Sequence, residues 1–293
     1  MARKPSVAIV GPGNLGSALA RALHAAGYRI SEIVYRRSGS RARRLAAEVG
    51  SKAVSLAKAR FPAEMVWVCV PDASIAGCAG ELAQRFGWQG KVVLHPSGAL
   101  SSDELRPLRR RGAAVAAAHP LMTFVRRSSP GLAGVPFALE GDAVAVGAAR
   151  RMVRDAGGDA FAVHARDKAL YHAWGTFASP LLVALLATTE QVARAAGVRS
   201  TASARRRMMP ILQQTLRNYG ALGPDDAFSG PLVRGDVATV RRHLRGLSRL
   251  PAARRVYVAL AQAALQTLPV RNREELAKAL ESVQVFHSKR RSD

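Results

Sequence analysis

The chain has 293 residues, of which 48% are hydrophobic and 22% charged, the balance of a globular protein long enough for two domains. Its two cysteines, Cys69 and Cys78, give neither a disulfide framework nor a zinc pattern, so no metal site is predicted. The N-terminal apolar run at 7–10 is too short for a signal peptide or a membrane span. We therefore expect a cytoplasmic protein that does not enter a membrane.

The formal net charge is +24, from 44 Lys and Arg against 20 Asp and Glu. Such an excess can indicate binding to nucleic acid or another polyanion. Here arginine is spread along the whole chain beside abundant alanine, which indicates codon bias more than a localised patch. Runs such as 205–207 and the C-terminal SKRRSD are typical of solvated faces and tails. Nucleic-acid binding is therefore not expected as the main function, and steep salt dependence would be its sign.

The first 165 residues alternate short β-branched runs with helical stretches, which predicts an α/β domain of Rossmann-like type with a doubly wound, mostly parallel sheet. The predicted strands are 6–10, 29–35, 64–70, 91–95, 113–118, 136–140 and 159–163. From about residue 166 the pattern is helical, near 166–196, 202–219, 237–248, 252–268 and 273–284. We place the domain boundary at 164, with domains 1–164 and 165–293.

A glycine-rich loop follows the first predicted strand in VAIVGPGNLGSALARAL. Gly11, Gly13 and Gly16 permit a tight turn and a close approach of backbone to ligand, and Asn14 and Leu15 begin the helix that follows. The amides of a helix N-terminus suit a pyrophosphate. The strand-loop-helix context predicts a dinucleotide site.

The end of the second predicted strand indicates which dinucleotide is bound. NAD sites usually carry an acidic residue about 20 residues after the loop, to hold the ribose hydroxyls. This chain has YRRSGSR there, with no acid, and Arg36, Arg37 and Ser38 suit a 2′-phosphate. The sequence therefore favours NADP(H).

Three further predicted strands end in polar residues. The carboxyl ends of parallel strands meet at one edge of an open sheet, where ligands bind. A single histidine or serine there is more often a loop-structuring group than a catalyst, and it is the convergence that indicates a site. The residues concerned are Val70, Pro71 and Asp72, then His95, Ser97 and Gly98, then His119 and Pro120.

The stretch KALYHAWGTFASP at 168–180 places polar side chains in an apolar helix. At helical spacing Lys168, His172 and Ser179 share one stripe, while apolar residues mostly occupy the other faces. The pattern predicts a largely buried helix with one polar seam. Pro180 either kinks this helix or begins a second helix capped by Ser179, so irregular backbone is expected beside Ser179.

The stretch SGPLVRGDVATVRRHL is the second specific motif of the helical half. Asp236 is placed to cap a helix with apolar residues at helical spacing. A helix cap explains the Arg-Gly-Asp sequence better than a role in cell adhesion, since we expect no export signal. Arg234 is a candidate for binding a substrate carboxylate, and the alternative is a purely structural loop.

Four stretches taken in order resemble an uncharacterised two-domain family: HPSGALSSDELRPLRRRGAAVAAAHPLMTF, PFALEGD, KALYHAWGTFASPLLVALL and AFSGPLVRGDVATVRRHL. In that family a Rossmann-like domain precedes a helical domain of unknown function, and its members are described as NADP-dependent oxidoreductases. It is similar to pyrroline-5-carboxylate reductase and the β-hydroxyacid dehydrogenases, whose helical domain is of the 6-phosphogluconate dehydrogenase C-terminal type. The resemblance covers nearly the whole chain.

The resemblance implies roles for the seam residues. β-Hydroxyacid dehydrogenases present a catalytic lysine on the long helix, followed four residues later by an asparagine, and Lys168 and His172 match this spacing with histidine in place of asparagine. The family usually has serine-asparagine where this chain has Ser179 and Pro180. The resemblance implies that the seam of Lys168, His172 and Ser179 faces the nicotinamide, with Ser179 as a substrate-binding residue. It also implies a homodimer through the C-terminal helices.

Taken together, these features predict an NADP(H)-dependent oxidoreductase that moves a hydride between the nicotinamide and a C=O or C=N carbon of a small, anionic metabolite. Lys168 or His172 would be the general acid, while His119 and Ser97 would position the substrate or the nicotinamide amide. The alternative is a non-catalytic protein that binds NADP(H) and reports redox state to a partner.

Overall fold

A computed structural model describes residues 3–126 and 130–281. The SKRRSD tail and the end of the predicted helix at 273–284 lie outside these residues. The chain divides into two compact units, Met1–Ser179 and a second that begins at Pro180. The first unit therefore ends 15 residues beyond the predicted boundary at 164. The reason is that residues 168–176 form a helix whose inner side chains bond to the first unit.

The first unit is built on an eight-stranded sheet in the order β3-β2-β1-β4-β5-β6-β7-β8. All neighbours are parallel except β6 and β7, which are antiparallel. The predicted Rossmann-like, mostly parallel sheet is confirmed, and the sequence missed only the half-exposed edge strand β3. The strands are β1 Val7–Val10, β2 Ile30–Tyr35, β3 Lys52–Ser55, β4 Met65–Val68, β5 Val92–His95, β6 Ala114–Pro120, β7 Pro136–Gly141 and β8 Asp159–Ala162.

Both faces of this sheet are buried, as a doubly wound sheet requires. Successive strand residues point to opposite faces, so Val7 and Ile9 belong to one core cluster and Ala8 and Val10 to the other. The covering helices place the loops that follow the strands at one edge of the sheet. The helices of this unit are α1 Asn14–Ala25, α2 Ser40–Glu48, α3 Ile75–Arg85, α4 Arg106–Arg109, α5 Ala143–Asp155 and α6 Lys168–Thr176.

The second unit is helical where the structure describes it, as predicted. Val240, Leu244, Val258, Leu276 and Leu280 form its buried core. The α8 helix is kinked at a glycine in the left-handed region, at position 223. The helices are α7 Leu182–Ala195, α8 Thr201–Ala227, α9 Val237–Gly246, α10 Pro251–Thr267 and α11 Arg273–Glu281.

The predicted cap of the Arg-Gly-Asp stretch is confirmed. The Asp236 carboxylate accepts a hydrogen bond of 2.9 Å from the backbone N–H of Thr239, at the first turn of α9. This bond satisfies one of the N–H groups that a helix start leaves without a partner. Arg234 precedes the cap in an exposed turn of the second unit, and its predicted role in binding a substrate carboxylate stays a prediction.

The predicted long helix is interrupted beside Ser179, as expected. A π-helical turn, Phe177–Leu181, joins α6 to α7 and contains Pro180. Proline has no N–H to donate and displaces the preceding turn, which explains the widened turn. The alternative in which Ser179 caps a second helix is wrong, because α7 begins at Leu182 with Leu181 at its cap.

The prediction that this helix is largely buried is wrong. Lys168 on the polar seam is only 2% exposed, whereas Leu170 is 76% and Phe177 71% exposed. Lys168 and Tyr171 bond to groups at the strand ends, whereas the apolar side chains on the other faces of α6 are largely exposed.

Candidate functional site

The glycine loop between β1 and α1 has the shape that a dinucleotide needs. Gly11 lies at φ +94°, and a Cβ there would collide with the carbonyl of Cys69 after β4. A Cβ on Gly16 would collide with the carbonyl of Gly11. At the exposed Gly13, by contrast, no protein atom lies within 4 Å of the Cβ position, which leaves the backbone open to a ligand. The loop therefore fits a pyrophosphate at the start of α1.

The first residues of α1 contribute differently from one another. The Asn14 side chain donates a 3.1 Å hydrogen bond to the carbonyl of Phe124 and accepts one of 3.0 Å from Arg41. Leu15 packs against the core of the sheet. Because its side chain is engaged by protein groups, we expect Asn14 to meet a cofactor through its backbone N–H.

The two arginines after β2 are not equivalent. The Arg36 guanidinium makes a 2.5 Å ion pair with Glu81 on α3, so part of its charge is already neutralised. Arg37 is exposed and forms no ion pair within the described chain, and the Ser38 hydroxyl lies 3.2 Å from that of Ser40. Arg37 and Ser38 are therefore more available to bind a 2′-phosphate than Arg36 is.

Ser97 organises the turn that follows β5. Its hydroxyl donates to the Asp72 carboxylate at 2.7 Å and accepts from the backbone N–H of Leu100 at 3.1 Å. Ser97 is 4% exposed, so this hydroxyl is already engaged by protein groups. What Ser97 offers to the site is its backbone carbonyl. Asp72 follows Val70 and Pro71 at the end of β4, so the structure brings together two of the predicted strand ends.

His95 is a structural group in the same turn. Its Nδ1 accepts from the backbone N–H of Ser97 at 3.1 Å, and its Nε2 lies 2.9 Å from the carbonyl of Ser101. Complete burial lowers the pKa of His95 to about 4, with the nearby Lys168 charge acting in the same direction. The ring is therefore neutral at pH 7, which suits a ring that accepts at one nitrogen and donates at the other.

Lys168 lies at the first turn of α6, and its amine is held against the turn that follows β5. Its Nζ donates a 2.9 Å hydrogen bond to the carbonyl of Ser97. Burial lowers the pKa of Lys168, while the carboxylates of Glu140 and Asp72 oppose that effect. A buried amine without a bonded carboxylate loses its proton more readily than a surface lysine.

His119, at the end of β6, pairs with a tyrosine of α6. The Nδ1 of His119 lies 2.6 Å from the hydroxyl of Tyr171, and the two rings meet edge to face. Burial lowers the pKa of His119 to about 4, helped by the charges of Lys168 and His172. Burial raises the pKa of Tyr171 to about 12. Both groups are neutral at pH 7.

Gly98 marks the point where the two predicted catalytic histidines face each other. A Cβ placed on Gly98 would lie 2.9 Å from His119 Nε2 and 2.9 Å from His172 Cδ2. The ring centroids of His119 and His172 are 6.4 Å apart, and His172 is exposed. The space beside Gly98 is thus bordered by both rings, next to the carbonyl that holds Lys168.

Sequence reasoning missed Tyr171 and the role of Gly98. The sequence pattern counts Tyr171 among the apolar residues on the other faces of the helix, although Tyr171 lies one turn from Lys168 on a neighbouring row. Among the described hydrogen bonds none involves the Ser179 hydroxyl, so the third seam residue is not joined to the cluster. No group of three or more His, Cys, Asp or Glu in the described ranges is placed to hold a metal ion.

Comparisons with known proteins agree with this architecture. Residues 2–120 match the model of a Rossmann-like domain, and residues 135–264 match a domain of unknown function, DUF2520. No curated protein has a matching sequence.

Solved structures share the fold across nearly the whole chain. A "putative NADP oxidoreductase" from Bacteroides fragilis is 21% identical with a TM-score of 0.72, over 89% of this chain and 97% of that one. A protein from Thermotoga maritima is 24% identical with a TM-score of 0.69, over 95% and 99%. An imine reductase from Pseudomonas sp. is 22% identical with a TM-score of 0.63, over 95% and 100%. At these identities the similarity establishes the fold.

We predict that Gly98→Ala displaces the His119 ring. The added methyl would lie within 3 Å of both histidine rings, so His119 moves toward solvent and its pKa rises from about 4 toward the ordinary value of 6.5. Histidine NMR titration measures the shift. Gly77→Ala on α3, where a Cβ meets no atom within 4 Å, is the control and should leave the titration unchanged. A His119 that still titrates near 4 in Gly98→Ala contradicts the geometry.

Proposed function

We propose that the chain, in which a match to a Rossmann-like domain precedes a match to DUF2520, is an NADP(H)-dependent oxidoreductase. Its reaction transfers a hydride between the nicotinamide and a C=O or C=N carbon of a small, anionic metabolite. The glycine loop and the absence of an acid after β2 support NADP(H) as the cofactor. The names of the solved neighbours, an NADP oxidoreductase and an imine reductase, support the reaction class.

The observation that carries the proposal is the position of the Lys168 amine. It is buried at the carboxyl end of β5, on the edge of the sheet where the glycine loop also lies. Ligands of open α/β sheets bind at this edge. A buried amine with a lowered pKa at such a place suits proton transfer better than a structural role, which a fully paired lysine would serve.

Reduction of a carbonyl or imine needs a hydride at carbon and a proton at oxygen or nitrogen. NADPH supplies the hydride when it is bound. Lys168 donates the proton to the substrate heteroatom and is left as the neutral amine, a state that its burial favours. His172, exposed beside Gly98, orients the substrate, and the neutral His119 offers Nε2 to the same space. Oxidation uses the same groups in reverse.

An anionic substrate is proposed because of the positive charge of the protein. Lys168 is cationic before it donates its proton, and the chain as a whole carries a large basic excess that raises the local concentration of anions. Arg234 remains a proposed carboxylate ligand from the second unit. The competing proposal, a non-catalytic redox reporter, accounts for the glycine loop but not for the buried Lys168 amine.

We also propose that the second unit pairs with a second copy of this chain. The α8 helix exposes Ile211, Leu216 and Tyr219 by 60% or more. A groove of about 890 Å³ in the same unit is lined mostly by apolar residues, and α7 and α10 supply the larger part of its lining. Exposed apolar surface of this extent is typical of a protein interface. In a two-fold interface both copies present the same surface. A second copy therefore supplies both a groove and a row of exposed apolar side chains on α8.

One helical stretch of the described chain, Ala165–Ala195, is long and apolar enough to cross a membrane, with mean hydropathy 1.3. Both of its ends are tied to folded protein. Lys168 bonds to the first unit, and Glu190 accepts two hydrogen bonds, of 2.7 and 3.1 Å, from Arg205 on α8. These ties favour protein over lipid as the cover for its apolar faces, and a cytoplasmic location stays a prediction.

Replacing Lys168 by methionine should abolish most turnover and spare the fold. Methionine fills the space of the lysine stem but has no proton to give, so NADPH oxidation with a panel of keto acids and imines should fall about 10²–10⁴-fold. NADPH affinity should change little. His172→Gln should have a smaller effect, and the double variant should be far from additive if the two residues act together.

Lys52→Met, at an exposed lysine at the amino end of β3 and so at the opposite edge of the sheet, is the matched control and should keep full turnover. If Lys168→Met lowers the melting temperature while turnover survives in the folded fraction, the lysine is structural. Tight NADPH binding with no turnover of any compound would favour the redox reporter.

Substitutions that introduce negative charge on α8 test whether the chain forms a dimer. Met209 and Leu216 lie about 20° apart on the helix and are both exposed, so Met209→Glu with Leu216→Glu should convert a dimer into a folded monomer. Sedimentation equilibrium measures the mass, and circular dichroism checks the fold. Gln214→Glu, an exposed polar residue about 140–160° around the same helix from these two, should remain dimeric. A monomeric unaltered protein at micromolar concentration contradicts the proposal.

A further inference from the structure

Four arginines surround a small cleft between α1 and α2, apart from the cluster around Gly98. The cleft has a volume of about 140 Å³ and is closed on one side by the chain that follows β6. We infer that this cleft binds a phosphate group. The inference goes beyond the proposed reaction, because it concerns binding in the first unit alone and needs no turnover. The arginines are Arg21, Arg41, Arg44 and Arg126.

The cleft is held in shape by bonds between three separate segments. Asn14 at the start of α1 accepts a hydrogen bond from Arg41 on α2 and donates one to the carbonyl of Phe124. Phe124 leads directly to Val125 and Arg126, which line the cleft. At its other end Arg21 on α1 pairs with Glu48 on α2 at 2.7 Å. The walls are therefore set before any ligand arrives, which lowers the entropy cost of binding.

The charge in the cleft is not balanced by the protein. Glu48 neutralises Arg21, but no ion pair among the described residues involves Arg41, Arg44 or Arg126. Arg41 and Arg44 are three residues apart on α2, where like charges are close neighbours and repel. An anion between them removes this repulsion, and the fixed fork of a guanidinium matches phosphate oxygens.

The size of the cleft limits what it can hold. Its volume is below the roughly 300–1,000 Å³ of pockets that enclose whole drug-sized ligands, so it has room for a phosphate group and a few waters. The occupant we infer is a phosphate separate from the cofactor, either inorganic or on a small phosphorylated molecule. The predicted ligands of the cofactor 2′-phosphate, Arg37 and Ser38, follow β2 and do not line this cleft.

The first measurement is thermal unfolding in inorganic phosphate and in chloride at equal ionic strength. A ligand that binds only the folded state raises the melting temperature. At phosphate about five times its dissociation constant, the unaltered protein should melt about 2–4 °C higher than in chloride. Arg44→Gln with Arg126→Gln, two exposed side chains, should lose this rise. Arg43→Gln, on α2 but outside the cleft, is the matched control and should keep it.

The second measurement is the affinity for NADPH and for NADH, with and without inorganic phosphate. We expect the stabilisation by phosphate to persist in saturating NADPH, and the double variant to keep its NADPH affinity. The inference is overturned if phosphate competes with NADPH but not with NADH and the double variant loses at least tenfold in NADPH affinity alone, because the cleft is then part of the cofactor site. It is also overturned if phosphate does not raise the melting temperature of the unaltered protein, or raises that of the double variant as much as that of the Arg43→Gln control.

Discussion

The site depends on one buried hydrogen bond, from the Lys168 amine to the carbonyl of Ser97. Removing an ammonium from water costs several kcal/mol, and a single carbonyl acceptor offsets only part of that cost. The pKa of the amine is therefore lowered, and Lys168 gives up its proton more readily than a surface lysine does. The same bond ties α6 to the sheet, which is why the first unit extends to Ser179 and why the apolar faces of α6 are left exposed.

The turn after β5 supports this bond with polar contacts of its own. Ser97 is fixed from three directions: its N–H by His95, and its hydroxyl by Asp72 and the N–H of Leu100. Because every one of these groups is paired, the carbonyl that receives Lys168 has a fixed position. Catalytic groups need such support, since small displacements of a proton donor are costly in rate.

Much of the fold was predictable because its signals are local and periodic. The glycine loop, the alternation of strands with helices and the Asp236 cap were read correctly from the sequence. The edge strand β3 was missed, because a half-exposed strand lacks a continuous apolar run. The exposure of α6 was missed because an apolar pattern does not say what covers it. The pairing of Tyr171 with His119 depends on two segments 52 residues apart, and no local signal reports it.

The account is tested most directly by following the hydride. The protein is incubated with NADPH deuterated at nicotinamide C4 and with the panel of keto acids and imines, and the products are examined by mass spectrometry and NMR. We predict one deuterium on the former carbonyl or imine carbon of at least one product, and its loss with Lys168→Met. NADPH that binds without any deuterium reaching carbon, or label transfer that is equally fast in Lys168→Met, would contradict the account.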